Sequence, residues 1–230
     1  MQFLRAVAAG PAAGLLLLLP FARGQEVDVT RIPGNPGWVV TNGAVLSVVQ
    51  IKGRTALEVA QGPGKKLGAG GDRLVYCPKM EFADGEMEFD VLGSARMAQQ
   101  SFVGVVFRLE AATGRYDAVY LRPFNFKSPE AEGRAHSVQY VSLPEWPWDR
   151  LRKMHPGVYE QPVPPGLDGD DWVHVRIAVR RPRVEVYLGG APEPSLVVNE
   201  LSGRTGGHVG LFAVGSQPAY FANLRITPRP

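Results

Sequence analysis

The chain has 230 residues, of which 45% are hydrophobic and 20% charged, with a formal net charge of +3. This balance excludes a disordered, collagenous or coiled-coil chain. Its 27 glycines and 20 prolines suit a turn-rich β architecture rather than a helical one.

Residues 1–24 follow the plan of a secretory signal peptide. Arg5 supplies the basic start, Ala6–Phe21 the apolar run, and Ala22-Arg23-Gly24 the small residues around a cleavage point. A spanning helix needs about 20 apolar residues. This run has 16, is broken by Pro11 and Pro20, and no later stretch is as apolar. No cysteine follows Gly24 to take a lipid. Cleavage leaves one domain over 25–230, 206 residues long, and removes Arg5 and Arg23 but no acid, so the formal charge falls from +3 to +1. So small an excess argues against nucleic acid, and against a membrane once the signal is gone. Cys77 is the one cysteine, so no intrachain disulfide forms, and a bacterial periplasm or exterior fits better than a disulfide-rich secretory route. Within Leu74-Val75-Tyr76-Cys77 it reads as a small buried hydrophobe.

The rest divides into short strands punctuated by Gly, Pro and Asp: 38–40, 44–52, 56–60, 73–77, 85–92, 102–110, 116–122, 137–143, 172–180, 184–188, 195–199, 208–214 and 220–227. Several alternate with period two; Val173, Val175, Ile177 and Val179 share one face, and His174, Arg176 and Arg180 the other. The pattern predicts an all-β, two-sheet antiparallel jelly-roll sandwich. Residues 144–166 break the rhythm with Trp146-Pro147-Trp148 and a short helical stretch, Trp148 to Met154, stopped by Pro156-Gly157. Such an insertion is either a lid over a site or a packed cover.

Glu86-Met87-Glu88-Phe89-Asp90 places three carboxylates on one strand face, about 6.6 Å apart. Carboxylates so close repel, which raises the proton affinity of at least one and prepares an acid–base pair; a solvated face neutralised by arginines is the competing reading. Arg108, Tyr120 and Arg122 are expected on the same surface. Asn125 follows Arg122, Gln139 lies on the next strand, and Trp146 and Trp148 stand in the insertion. Arginine, tyrosine, asparagine and tryptophan are the types that grip sugars, through paired donors and flat rings. For the two tryptophans, pinning the insertion competes with stacking on a ligand. His174 and Arg176 join this set. His136 shares the surface in the same reading, though a lone strand histidine also serves structure alone. No histidine pair suits a metal. Leu167-Asp168-Gly169-Asp170-Asp171 could offer oxygens to calcium, but it lacks the full loop and reads as an Asp-Gly turn. No nucleophile elbow is present, and Gly62–Gly68 lacks phosphate-loop spacing.

Several strings together resemble the concanavalin A-like lectin/glucanase superfamily: Phe102-Val103-Gly104-Val105-Val106-Phe107-Arg108, Tyr116-Asp117-Ala118-Val119-Tyr120-Leu121-Arg122-Pro123-Phe124-Asn125, Ser137-Val138-Gln139-Tyr140, Asp171-Trp172-Val173-His174-Val175-Arg176, and Val209-Gly210-Leu211-Phe212 with Ala219-Tyr220-Phe221-Ala222-Asn223-Leu224-Arg225-Ile226. The branch most similar is that of bacterial secreted 3-keto-disaccharide hydrolase domains, over about residues 37–228. The resemblance implies a concave carbohydrate-facing sheet and, as substrate, a glycoside oxidised at C3. It makes Arg108 the best-aligned polar position. Glycoside hydrolase family 16 shares the fold and carries Glu-x-Asp-x-Glu on one strand; Glu86-x-Glu88-x-Asp90 departs from that order.

The expected function is therefore a secreted glycoside hydrolase, with Glu86, Glu88 or Asp90 as acid and base, no cofactor, and a carbohydrate as partner. The alternatives are a lectin-like glycan-binding module with the same surface and a structural envelope domain. No motif sets the oligomeric state.

Overall fold

The computed structural model describes residues 24–63 and 71–229, without the side chain of Gln99. Residues 1–23 of the expected signal peptide and 64–70 of the glycine-rich stretch lie outside the described residues. Fifteen strands follow in order: β1 (Gln25–Val27), β2 (Val39–Val40), β3 (Ala44–Ile51), β4 (Arg54–Gln61), β5 (Arg73–Glu81), β6 (Asp84–Leu92), β7 (Ser101–Glu110), β8 (Arg115–Leu121), β9 (Val138–Leu143), β10 (Glu160–Gln161), β11 (Val173–Arg180), β12 (Arg183–Leu188), β13 (Leu196–Asn199), β14 (His208–Gly215) and β15 (Ala219–Arg229). Helix α1 (Ala131–Ala135) lies between β8 and β9, and α2 (Trp148–Met154) between β9 and β10.

The strands form two antiparallel sheets. The first runs β13-β12-β11-β6-β15-β4-β3, with β1 beside the distal half of β15; the second runs β10-β9-β8-β7-β14-β5-β2. This is the predicted jelly-roll sandwich. Its core is what the alternation demanded: Met87, Phe89 and Val91 of β6 and Val173, Val175, Ile177 and Val179 of β11 are buried. From the second sheet, Val103, Val105, Phe107, Val119, Leu121 and Leu211 are equally buried.

The predicted helix occupies Trp148–Met154, and the insertion adds β10, an edge strand no local pattern announced. Cys77 is half-buried rather than buried. Among the described residues, no helix is long and apolar enough to cross a membrane.

Arg108 departs from its expected face. Strict alternation would send it outward, but the β7–β8 register shifts between Phe107 and Glu110 and Arg108 has φ +51°. This bulge turns the side chain between the sheets, where it is fully buried. There it donates to Ala83 O (3.1 Å) and Asp84 Oδ1 (3.0 Å), pairs with Glu200, and lies 3.7 Å from Asp117 Oδ2. Asp117, equally buried, also accepts from Arg204 Nη2 (2.9 Å), Tyr140 OH (3.0 Å) and Ser202 Oγ (2.6 Å). Burial pushes the Tyr140 phenol far up, so it stays a donor.

This closed ionic cluster ties β7 and β8 to the β6 turn and to the segment after β13. Arg108→Met leaves buried carboxylates without their shared cation. Urea unfolding should show a loss of about 3–5 kcal/mol.

Candidate functional site

The outward face of the second sheet is organised by one cross-strand row. Register aligns Leu74, Phe212, Gly104, Tyr120, Gln139 and Glu160 from β5 to β10. Gly104 decides its shape: a Cβ there would stand 2.1 Å from Val119 O. With no side chain between them, Phe212 and Tyr120 stack across it, centroids 5.3 Å apart. Phe102 meets Tyr120 edge-on at 5.8 Å.

The polar end of the row centres on Glu160, which is 3% exposed. Arg152, from α2, grips it with two parallel bonds, Nε to Oε1 and Nη2 to Oε2, both 2.8 Å. Arg122, beyond β8, brings Nη1 to 3.6 Å from Oε2. Arg122 also donates to His136 O (2.8 Å), Gln139 Oε1 (2.9 Å) and the Tyr120 hydroxyl (3.2 Å). Asn125 Nδ2 donates to the same His136 carbonyl (3.2 Å). Gln139 Nε2 donates to the Tyr140 and Tyr159 carbonyls. The amide thus fixes Arg122 on one side and anchors β10 on the other.

His136 completes the cluster. Its Nδ1 lies 2.9 Å from Glu160 Oε1, yet neither ring nitrogen makes a hydrogen bond. Burial pushes its pKa below the ordinary value, Arg152 and Arg122 push the same way, and Glu160 opposes them. At neutral pH the ring is therefore an uncharged base beside the Glu160 carboxylate. Burial also drives the Tyr120 phenol up; Arg122 opposes that shift while Glu160 and Asp72 add to it. Asp72 is a second carboxylate of this face and accepts from the Tyr116 hydroxyl.

The cluster opens to solvent at the insertion. Trp148, 47% exposed, has the Arg152 guanidinium 4.8 Å from its ring centroid. Trp146 does the pinning: it packs against the core, with Arg150 over its ring at 4.3 Å and His155 beside it at 5.7 Å.

The residues singled out from the sequence divide among three places. Tyr120, Arg122, Asn125, Gln139, Trp146 and Trp148 belong to this face or its cover. Arg108 lies between the sheets. Glu86, Glu88, Asp90, His174 and Arg176 occupy the outward face of the first sheet, so the single surface expected to join them to Arg108 and Arg122 does not form. Alternation gives which residues share a face but not which of two sheets owns it. On the first sheet, Asp90 binds Arg54, Asn223 Nδ2 (2.6 Å) and His174 Nδ1 (2.9 Å). His174 Nε2 also lies 3.2 Å from Glu88 Oε1, and Arg180 and Arg176 lie 3.4 and 3.8 Å from Glu86.

Sequence reasoning missed Glu160, Arg152 and Asp72, and took His136 up only as a lone strand histidine. One signal was present: Trp148 and Arg152 are four apart on a helix and share its face. Asp168, Asp170 and Asp171 accept backbone N–H groups of Asp170, Ala95 and Trp172. No group of three His, Cys, Asp or Glu side chains suited to a metal occurs among the described residues.

No family model matches the sequence, and no curated protein does. Solved structures do share the fold. The carbohydrate-binding module CBM66 from Bacillus subtilis superposes with TM-score 0.55 at 15% identity, over 82% of this chain and 93% of that one. A glycosidic hydrolase gives TM-score 0.56 at 13% identity over 91% and 97%. The exoplasmic domain of VIP36, bound to Ca2+ and Man3GlcNAc, gives 0.55 at 9% over 90% and 91%. At these identities the likeness establishes the architecture, a jelly roll that lectins, binding modules and hydrolases have in common.

Glu160→Gln leaves Arg122 and Arg152 facing a neutral amide and should cost about 3 kcal/mol by urea unfolding. It also removes the larger of the two upward pulls on His136, those of Glu160 and Glu132, so the His136 pKa should fall further below 6.5, read from its Hε1 resonance by NMR. In the wild type, the unfolded chain binds a proton more readily than native His136. The stability it confers is thus complete above about pH 6.5 and declines as pH falls through the lower native value.

Proposed function

We propose that the protein is a secreted carbohydrate-active protein of the periplasm or exterior that takes a glycoside at the Trp148–Arg152–Glu160–His136 face. The 3-keto-disaccharide hydrolase resemblance supplies the substrate class, a glycoside oxidised at C3. The observation that carries the reading is an imidazole whose ring nitrogens have no hydrogen-bond partner, set against a carboxylate that Arg152 grips with two bonds and Arg122 approaches.

A C3 ketone acidifies the C2 hydrogen. His136 takes that proton, and Glu160 stabilises the imidazolium that results. The C2 electron pair forms the C1=C2 bond as the C1–O bond breaks, and the imidazolium proton passes to the departing oxygen. Addition of water across C1=C2 then completes net hydrolysis. Trp148 presents a flat ring for the C–H face of a sugar, with the Arg152 guanidinium beside it to meet hydroxyls. In this reading the acid–base work passes from Glu86, Glu88 and Asp90 to the His136–Glu160 pair.

A lectin-like reading has its own support, since the exposed Trp148 over Arg152 suits binding without turnover. Mass spectrometry on 3-keto-glucosides and their unoxidised parents separates the two. Release of the aglycone from the keto set alone, abolished in His136→Ala, supports the hydrolase. Binding of sugars without turnover of either set selects the lectin. Trp148→Ala should weaken either ligand about tenfold, near 1.4 kcal/mol, by calorimetry. Absence of both binding and turnover in the folded protein overturns the proposal.

A further inference from the structure

The first ladder pair along the chain joins Gln25 to Ile226, followed by Glu26 with Arg225 and Val27 with Leu224. Strand β1 therefore starts at the residue that follows the expected cleavage point, Ala22-Arg23-Gly24. Cleavage there leaves no tail ahead of the fold. The new α-amine belongs to a residue already paired with β15. Gly24 runs tight against that strand: a Cβ on it would overlap Thr227 Oγ1 and stand 3.1 Å from Arg225 Cγ and Cδ. The amine is one bond from the carbonyl of this glycine, so cleavage frees it beside Arg225. Behind it, Val27 packs against the core and Val29 is buried, which fixes the backbone up to the terminus. The Gln25 side chain is exposed and free to turn.

We propose that the mature protein begins at Gln25 and that this residue closes into pyroglutamate. The α-amine attacks Cδ of its own side chain. The N–Cδ bond forms, the Cδ–Nε2 bond breaks, and the departing nitrogen takes one amine proton and leaves as ammonia. No co-reactant is needed. The ring consists of N, Cα, Cβ, Cγ and Cδ, so closure rotates only the exposed side chain. The Gln25 carbonyl and the ladder behind it stay in place. The nucleophile is the unprotonated amine, and roughly a tenth of a terminal amine has that form at pH 7.

The lactam suits this place better than the ammonium it replaces. It keeps one planar N–H, the kind of donor a strand presents, and loses the positive charge. Arg225 then has Glu26 opposite it in the ladder and no second cation beside it. Chain ends are where fraying and trimming begin. A closed ring lacks the free amine that aminopeptidases hold, so β1 keeps its first residue in a compartment that contains them. The inference rests on the signal-peptide reading and is independent of the glycoside site.

The test is the intact mass of the full chain, expressed with its own leader in an exporting bacterium. It is measured on the exported protein at once and again after prolonged incubation at neutral pH. The expected product starts at Gln25 and is lighter than the open 25–230 sequence by one ammonia, any open form converting with time. Fragmentation of the N-terminal peptide Gln25–Arg31 should place the loss on Gln25. Gln25→Ala should keep the open mass and be the form an aminopeptidase shortens. A chain that starts at Gln25 and stays open throughout overturns the inference and leaves the leader reading standing. A chain that starts elsewhere, or still carries residues 1–24, overturns both. The same ammonia loss in Gln25→Ala puts the reaction at another residue and overturns the inference as well.

Discussion

A carboxylate removed from water must be met by cations, and the outward face of the second sheet is arranged around that requirement at Glu160. An unpaired buried charge costs several kcal/mol, so the residue that β10 contributes to the row is stable only with guanidiniums in place. Arg122 is already there at the end of β8, held by Gln139 and the His136 carbonyl. Arg152 has to come from α2, and its two parallel bonds set where that helix lies. The position of the insertion is therefore set by this electrostatic demand together with the packing of Trp146 and buried Leu151, and Trp148 is carried with it, one helical turn from Arg152.

The second sheet holds two arginine–carboxylate clusters on opposite faces, and the contrast between them separates structure from function. Around Asp117 every buried acceptor finds a donor: two guanidiniums, a phenol and a hydroxyl. Such a network saturates the carboxylate, with Arg204 Nε the one buried donor of the cluster left without a partner among the described residues. Around Glu160 the carboxylate is equally well held, but the imidazole beside it has no hydrogen bond, and a tryptophan ring faces solvent. Unmet polar capacity next to an exposed aromatic is what a ligand answers. A single bulge produces this division, since without it Arg108 would stand outward with Arg122.

What the sequence disclosed and what it withheld follow from the range of the forces involved. Alternation is local, so the shared face of Glu86, Glu88 and Asp90 and the core face of Val173 to Val179 were legible, and Pro156-Gly157 marked the end of α2. Sheet membership is not local. The carboxylates of β6 and the tyrosines of β8 have the same kind of pattern, and only pairing with β11 and β15, or with β7 and β9, tells one outer face from another. The bulge at Arg108 depends on the approach of Gly207, whose Cβ would lie 2.7 Å from the Arg108 carbonyl carbon; nothing near Arg108 in the chain signals it. Glu160 lies in a two-residue strand that exists because β9 offers it an edge and Arg152 a counter-charge.

The same reasoning gives the outer face of the first sheet a role of its own. Register sets Arg225, Glu88 and Arg176 in one cross-strand row, and His174 lies between Glu88 and Asp90 in its contacts. Opposite charges facing across strands stabilise the sheet modestly. More importantly, they keep its broad surface hydrated, so that face-to-face stacking of two molecules would desolvate a field of ion pairs. The short edges β10, β2 and β13 close three other routes to association.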